Sequence, residues 1–440
     1  MDLNKIIKKH VNNNELKQLF QKLYPICRSI SGRGFDDSLK ILGKIVKLKI
    51  FKFKTGSKVL DWTVPKVWNI KDAYIITPQN KKIAEFKKHN LHLVNYSEPV
   101  FKTLPFSKLK KKIFTIPKLP SAIPYVTSYY NRDWGFCMKH NEFKKLKSGN
   151  YKAYINSSLK KGYLKYSDVK IKGIKKKEVL ISTYLCHPSM ANHELSGPIV
   201  WSMLYRILKA TAPHKYTYRF LICPENIGSA AFLHKNKSTI KKNLVAGFII
   251  NCVGYGKEIN YKKSRRENTL ADKAAINVIK SYQNKSFIHN FAPWGSDERQ
   301  FCSPGFNLPV GLIMRKMFAG FKEYHNSLDN EKIFSFKTIN ESIKIYLETI
   351  QTIENNFVPL AKIQYGTPQL SKSKIPIYRK NMSWHIKKME KKTKVMLEIL
   401  NFADGKLDMI EIANKRKFKL IEHLDVIENL IKAGYLKKIS

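Results

Sequence analysis

Between about residue 152 and Phe357 the chain alternates short apolar runs with amphipathic stretches, and this alternation constrains the fold more than any other feature. YKAYINSSL and EVLISTYLC predict strands, PIVWSMLYRILKAT a helix, YTYRFLICPE a strand, GSAAFLHKNK a helix start and NLVAGFIINCVG a strand. NTLADKAAINVIKSY then predicts a helix, LPVGLIMR a strand, and KTINESIKIYLETIQTIENNF a long closing helix. Strands apolar on both sides, alternating with helices, predict an α/β sheet covered on both faces. The 440 residues leave room for two or three domains of about 150 residues each.

The flanking regions read differently. Leu16, Leu19, Phe20 and Leu23, then Leu39, Ile41, Leu42, Ile45 and Val46, recur at helical spacing around the loop RSISGRGFDD. IFKFKTG, AYIITPQ and HLVNYSEPV predict short strands broken by Pro and Gly, a small β-rich insert. After Phe357 the segment TPQLSKSKIPIY predicts a linker. Beyond it, three helices (around Val395–Leu400, Leu407–Ala413 and Leu420–Ala433), a stop at Gly434 and a short strand predict a winged helix. The expected organisation is an α/β domain at 1–52 and 152–360, an insert at 53–151, a linker at 361–388 and a winged helix at 389–440.

Composition narrows the partners. Lys+Arg total 81 against Asp+Glu 33, a net charge of +48. Such a balance predicts attraction to polyanions, although lysines spread from end to end also fit plain compositional drift. Base reading by the third winged-helix helix is disfavoured, because Glu422, Asp425 and Glu428 would repel phosphates. A protein partner fits that module better, and self-association stays open. No run approaches the roughly 18–20 apolar residues of a membrane helix, and the first residues carry no apolar leader pattern. The six cysteines form no CxxC pair. The expected location is cytoplasmic.

Chemistry-bearing residues gather at predicted strand ends, where open α/β sheets bind ligands. His187 directly follows an apolar strand, Glu194 lies seven residues on, and His325 precedes Asp329 far downstream. A single histidine is more often structural. Two imidazoles and a carboxylate, with water in a fourth position, make a catalytic zinc site. Glu225 ends the next strand. It reads either as an acid favoured by a helix N-terminus or, beside a metal, as a general base. Arg265, Arg266, Arg299 and Arg315 are candidates for a substrate carboxylate, and Tyr129, Tyr130 and Trp134 for a pocket wall.

The ordered segments YPICRSISGRG, KVLDWTVPKVWNI, IPYVTSYY, WGFC, TYLCHPSMANHELSGP, PENIGS, GSDERQFCSPG and YHNSLD resemble the zinc aminopeptidase superfamily of the bacterial leucyl aminopeptidase type. They are most similar to an aminopeptidase-like subgroup with a β-rich insert and a winged-helix tail, often associated with polysaccharide biosynthesis. The resemblance implies that His187 and His325 are metal ligands, that Glu225 is the general base and that Asp297 supports the site. It implies that Asp329 orients His325. The family's second metal-binding Glu is Asn226 here, and its Asp ligand falls on Asn251. The bridging carboxylate aligns with His193 or Glu194. With two anionic ligands missing, one zinc is expected, on His187, Glu194 and His325, with Glu194 preferred because a carboxylate suits the parent chemistry. The implied activity is zinc-dependent hydrolysis of an N-terminal peptide or related amide. The alternatives are a degenerate binding module and an amidase acting on N-acyl or aminoacyl sugars.

Overall fold

The structure is a computed structural model describing residues 2–373 and 391–439. Most of the expected linker, and residues 389–390 of the expected winged helix, lie outside the described residues.

The predicted alternation builds an eight-stranded mixed sheet. Its order is Ile50–Lys54, Tyr163–Ile171, Thr217–Cys223, Glu178–Tyr184, Leu244–Ile250, Val310–Met314, Ile259–Lys262 and Ser286–His289. The four strands from Thr217–Cys223 to Val310–Met314 run parallel. Strand residues alternate between two cores, as a period of two demands. Val179, Ile181, Phe220, Phe248 and Ile250 face Ser196–Ala210, Leu270–Ile279 and Phe336–Glu354. Leu180, Leu221, Ile249 and Leu312 face the opposite layer, which includes Ile227–Asn243 and the insert.

Two strands lie in sheets other than those expected. Ile50–Lys54 pairs antiparallel with Tyr163–Ile171 at the edge of the large sheet, not in the insert. Asn150–Lys160 pairs with Val67–Ile76 and Val100–Pro105 in the four-stranded insert sheet, not in the α/β sheet. Both strands are short on full burial, with alternating exposure along Ile50–Lys54 and along Asn150–Lys160. An alternating strand is compatible with either sheet, so pattern alone does not assign it.

The C-terminal unit has helices Lys391–Phe402, Met409–Arg416 and Leu424–Lys432, and its last strand, Leu436–Lys438, pairs with Pro359–Ala361. It packs firmly on the body. Lys273 Nζ lies 2.7 Å from Asp408 and 3.2 Å from Glu411. The Asn277 amide donates to Asn414 Oδ1 and the Phe418 carbonyl, and accepts from the Leu420 N–H. Asp425 and Glu428 lie on the Leu424–Lys432 helix, and Asp425 pairs with Lys392.

A three-histidine candidate metal centre

The site forms where three parallel strands end. His187 follows Glu178–Tyr184, Glu225 follows Thr217–Cys223, and Asn251 follows Leu244–Ile250. Between the first strand and its helix, Ala191–Leu195 makes one π-helical turn, a geometry common at functional sites. The helix that follows sits close against the sheet because residue 197 is glycine. A Cβ there would stand 2.3 Å from the Ile250 carbonyl oxygen and 2.4 Å from Thr183 Oγ1.

That turn aims His193 at the downstream histidine. His193 Nε2 and His325 Nε2 are 3.0 Å apart, and one ring nitrogen from each of His187, His193 and His325 lies within 4.8 Å of the others. His325 adopts a positive φ of 55°. The insert holds it there: the Tyr125 N–H donates to the His325 carbonyl at 2.9 Å, and Pro124 bridges Asn326. Strain of this kind persists where surroundings over-determine a residue.

Glu194 does not join the trio. Its Oε2 stands 2.9 Å from His187 Nδ1, and its Oε1 stands 3.6 Å from Arg28 Nε. Of the expected set of His187, Glu194 and His325, the structure brings the two histidines together with His193 and places Glu194 on the Nδ1 side of His187. The reason is the π turn, which sends residues 193 and 194 in different directions. Cys186 also lies near His187 and Glu194. Burial and the neighbouring carboxylates push its thiol well up, so it remains protonated.

Asp329, expected to orient His325, accepts the backbone N–H groups of Asn192 at 2.6 Å and His193 at 2.8 Å and so fixes the turn beneath His193. Asp297 accepts the Asn226 N–H at 2.6 Å and the Ser229 hydroxyl at 2.8 Å, supporting the turn that carries Glu225. Burial and the nearby Glu225 raise the Asp297 carboxyl to about 7.

Electrostatics divide the three imidazoles. Burial pushes His193 well down and His325 to about 3, each helped by neighbouring rings, so both are neutral donors of lone pairs. Burial also opposes charge on His187, but the carboxylates of Glu194 and Glu225 outweigh it and raise that ring. Glu225 Oε2 lies 3.7 Å from His187 Nε2. Its carboxyl is raised by burial, against the pull of His187.

Asn226 and Asn251 behave differently. Arg299 donates twice to Asn226 Oδ1. Asn251 is 1 % exposed, and neither of its amide atoms has a hydrogen-bond partner among the described residues. Arg315 pairs with Glu341 and the carbonyls of Gly256 and Lys257 and takes no part in the histidine cluster. Arg265 and Arg266 are exposed. Trp134 packs with Phe136 in the insert core.

Two contributors went unassigned in sequence. Arg28, buried in the YPICRSISGRG segment, donates to the His187 carbonyl at 3.0 Å. Tyr125, in IPYVTSYY, places its ring 5.1 Å from His187 and 5.4 Å from His325, and its hydroxyl 2.5 Å from that of Tyr129. Their segments were legible as motifs, but nothing local indicated contact with a histidine.

The donor set fits zinc. Tetrahedral coordination with bonds near 2.0–2.1 Å separates ligand nitrogens by about 3.3 Å, close to the His193–His325 spacing. Fold and site together define an aminopeptidase-like α/β protein with a C-terminal winged helix. The chain belongs to the family described as a domain of unknown function, DUF4910, whose model matches residues 17–356. A winged helix-turn-helix model matches residues 358–438. A Clostridium acetobutylicum protein, provisionally named for polysaccharide biosynthesis and an aminopeptidase-like domain, is 41% identical over 414 residues, covering 93% of this chain and 94% of its own. A solved C. acetobutylicum structure, provisionally named a peptidase, shares 38% identity with a TM-score of 0.89, covering 99% of this chain and 100% of that one. A zinc aminopeptidase from Bacillus subtilis matches in fold alone, at 12% identity and a TM-score of 0.56, over 78% of this chain and 94% of its own. Among the described residues no helix is long and apolar enough to cross a membrane.

Proposed function

We propose that the protein is a zinc-dependent hydrolase of the aminopeptidase type, cleaving an N-terminal peptide or related amide bond, with one zinc held by His187, His193 and His325. The observation that carries this reading is the convergence of three imidazoles beside the Glu225 carboxylate. When bound, zinc polarises a carbonyl and brings the pKa of a water down toward about 7.

The chain's own groups supply the rest. Glu225 Oε2, on the His187 side of the trio, takes a proton from water and returns it to the leaving amine. Its raised pKa suits both halves of that transfer. Glu194 accepts from His187 Nδ1, fixing the tautomer that leaves Nε2 free. Asp329 holds His193 through its backbone. The rings of Tyr125 and Tyr324, the latter stacked at 4.0 Å on His325, shield the trio from bulk water. Neutral amides at Asn226 and Asn251 support one metal rather than two.

A second reading keeps this site and changes the substrate to an N-acyl or aminoacyl sugar, supported by the polysaccharide-biosynthesis name of the C. acetobutylicum relative. Purified protein should carry about one zinc per chain. Glu225→Gln should lower kcat about 10²- to 10⁴-fold with zinc retained. Undiminished turnover in that variant removes Glu225 from the chemistry.

A further inference from the structure

Arg299 stands out among the arginines that the fold holds in place. Arg28, Arg206, Arg219 and Arg315 each face a carboxylate: Glu194, Glu15, Asp168 with Glu178, and Glu341. Among the described residues Arg299 makes no ion pair. Its Nε and Nη2 instead both donate to the neutral Asn226 side chain, at 2.9 and 2.7 Å.

That holder is itself fixed. Asn226 sits at φ 62° and ψ −71°, and its N–H is bound by the buried Asp297. A guanidinium is thus positioned beside the catalytic carboxylate by an amide that neutralises none of its charge. Asn226 directly follows Glu225, so the guanidinium it holds lies next to the turn that carries that carboxylate. Glu225, Asn226, Arg299 and Tyr324 are all partly exposed, so this side of the site is open to a ligand.

We propose that Arg299, held by Asn226, binds a carboxylate carried by the substrate close to the scissile amide. The inference rests on the hydrolase reading and names its substrate class: carboxylate-bearing amides. A guanidinium presents parallel N–H donors that match a carboxylate. Replacing the neutral holder by an acid would satisfy Arg299 internally and abolish its use for a ligand. The net charge of +48 adds a field that draws anionic substrates toward the molecule.

Two matched pairs of compounds test this and separate the two sources of such a carboxylate. One pair is alanyl-alanine and its C-terminal amide. The other is N-acetylmuramic acid and N-acetylglucosamine. Affinities are measured calorimetrically on the zinc-loaded Glu225→Gln variant, and kcat/KM on the parent. At least one carboxylate compound should be favoured over its neutral partner by about 10- to 100-fold. Arg299→Gln should bring that ratio close to one, and Arg299→Lys should restore part of it. Asn226→Asp, a near-isosteric change that places an acid on the guanidinium, should lower the ratio while thermal unfolding still shows a folded protein. A ratio unchanged in Arg299→Gln, equal affinities within both pairs, or binding of no compound overturns the clamp. Glu225-dependent turnover of a neutral amide would leave the hydrolase reading standing in each of those cases.

Discussion

The support of His193 by Asp329 gives the most demanding test of the site's architecture. Asp329 is fully buried, and its two carboxylate oxygens accept the N–H groups of Asn192 and His193 at 2.6 and 2.8 Å. Asp329→Ala orphans both donors in the interior. At about 1–3 kcal/mol for each unsatisfied group, the loss is about 2–6 kcal/mol, against a total stability of about 5–15 kcal/mol for a typical domain. Asp329→Asn keeps the shape and one acceptor but turns an N–H₂ toward the other donor, so it should cost about half as much. The turn that aims His193 should loosen in both variants, weakening zinc about 10- to 100-fold. Urea unfolding monitored by circular dichroism reads the first quantity, and competition with a chromophoric chelator reads the second. Stability within about 0.5 kcal/mol of the parent, or zinc affinity unchanged in a destabilised variant, would refute the claim that Asp329 works through His193.

Two further outcomes follow from the geometry. His193→Ala should lose zinc on dialysis, whereas Glu194→Gln should retain it with about 10- to 100-fold weaker affinity; the reverse result, read by elemental analysis, would restore Glu194 as the ligand. His89 is held down at about 4 by burial, with His92 and Lys139 adding to the effect. The folded state keeps this ring neutral while the unfolded chain protonates it below about 6.5. Stability should therefore fall as pH drops from about 6.5 to about 4, by at most about 3 kcal/mol. His89→Gln should flatten that slope in urea titrations at several pH values, and an unchanged slope would exclude the assignment.

The parallel core, the closing helix Phe336–Glu354 and the winged helix were legible because each carries its signal locally. Strands such as Thr217–Cys223 are buried on both faces and must be apolar throughout, and amphipathic helices must repeat near 3.6 residues. His187 and Glu225 were legible because they follow such runs, and all three of His187, Glu225 and His325 because they lie in motifs that resemble a known family. The identity of the third imidazole was not. His193 and Glu194 are neighbours in sequence, and a single π-helical turn sends one to the trio and the other behind His187.

The same limit applies to Asp329, whose partners lie more than a hundred residues away, and to the strands Ile50–Lys54 and Asn150–Lys160, whose half-buried patterns suit either sheet. Sequence by itself determined which segments are buried and which residue types can do metal chemistry, since hydrophobic periodicity and donor identity are local properties. Tertiary structure alone decided which donors meet. Convergence depends on the direction of each Cα–Cβ bond at a strand end, and that direction is set by turns, strained φ angles and long-range hydrogen bonds that no short window of sequence contains.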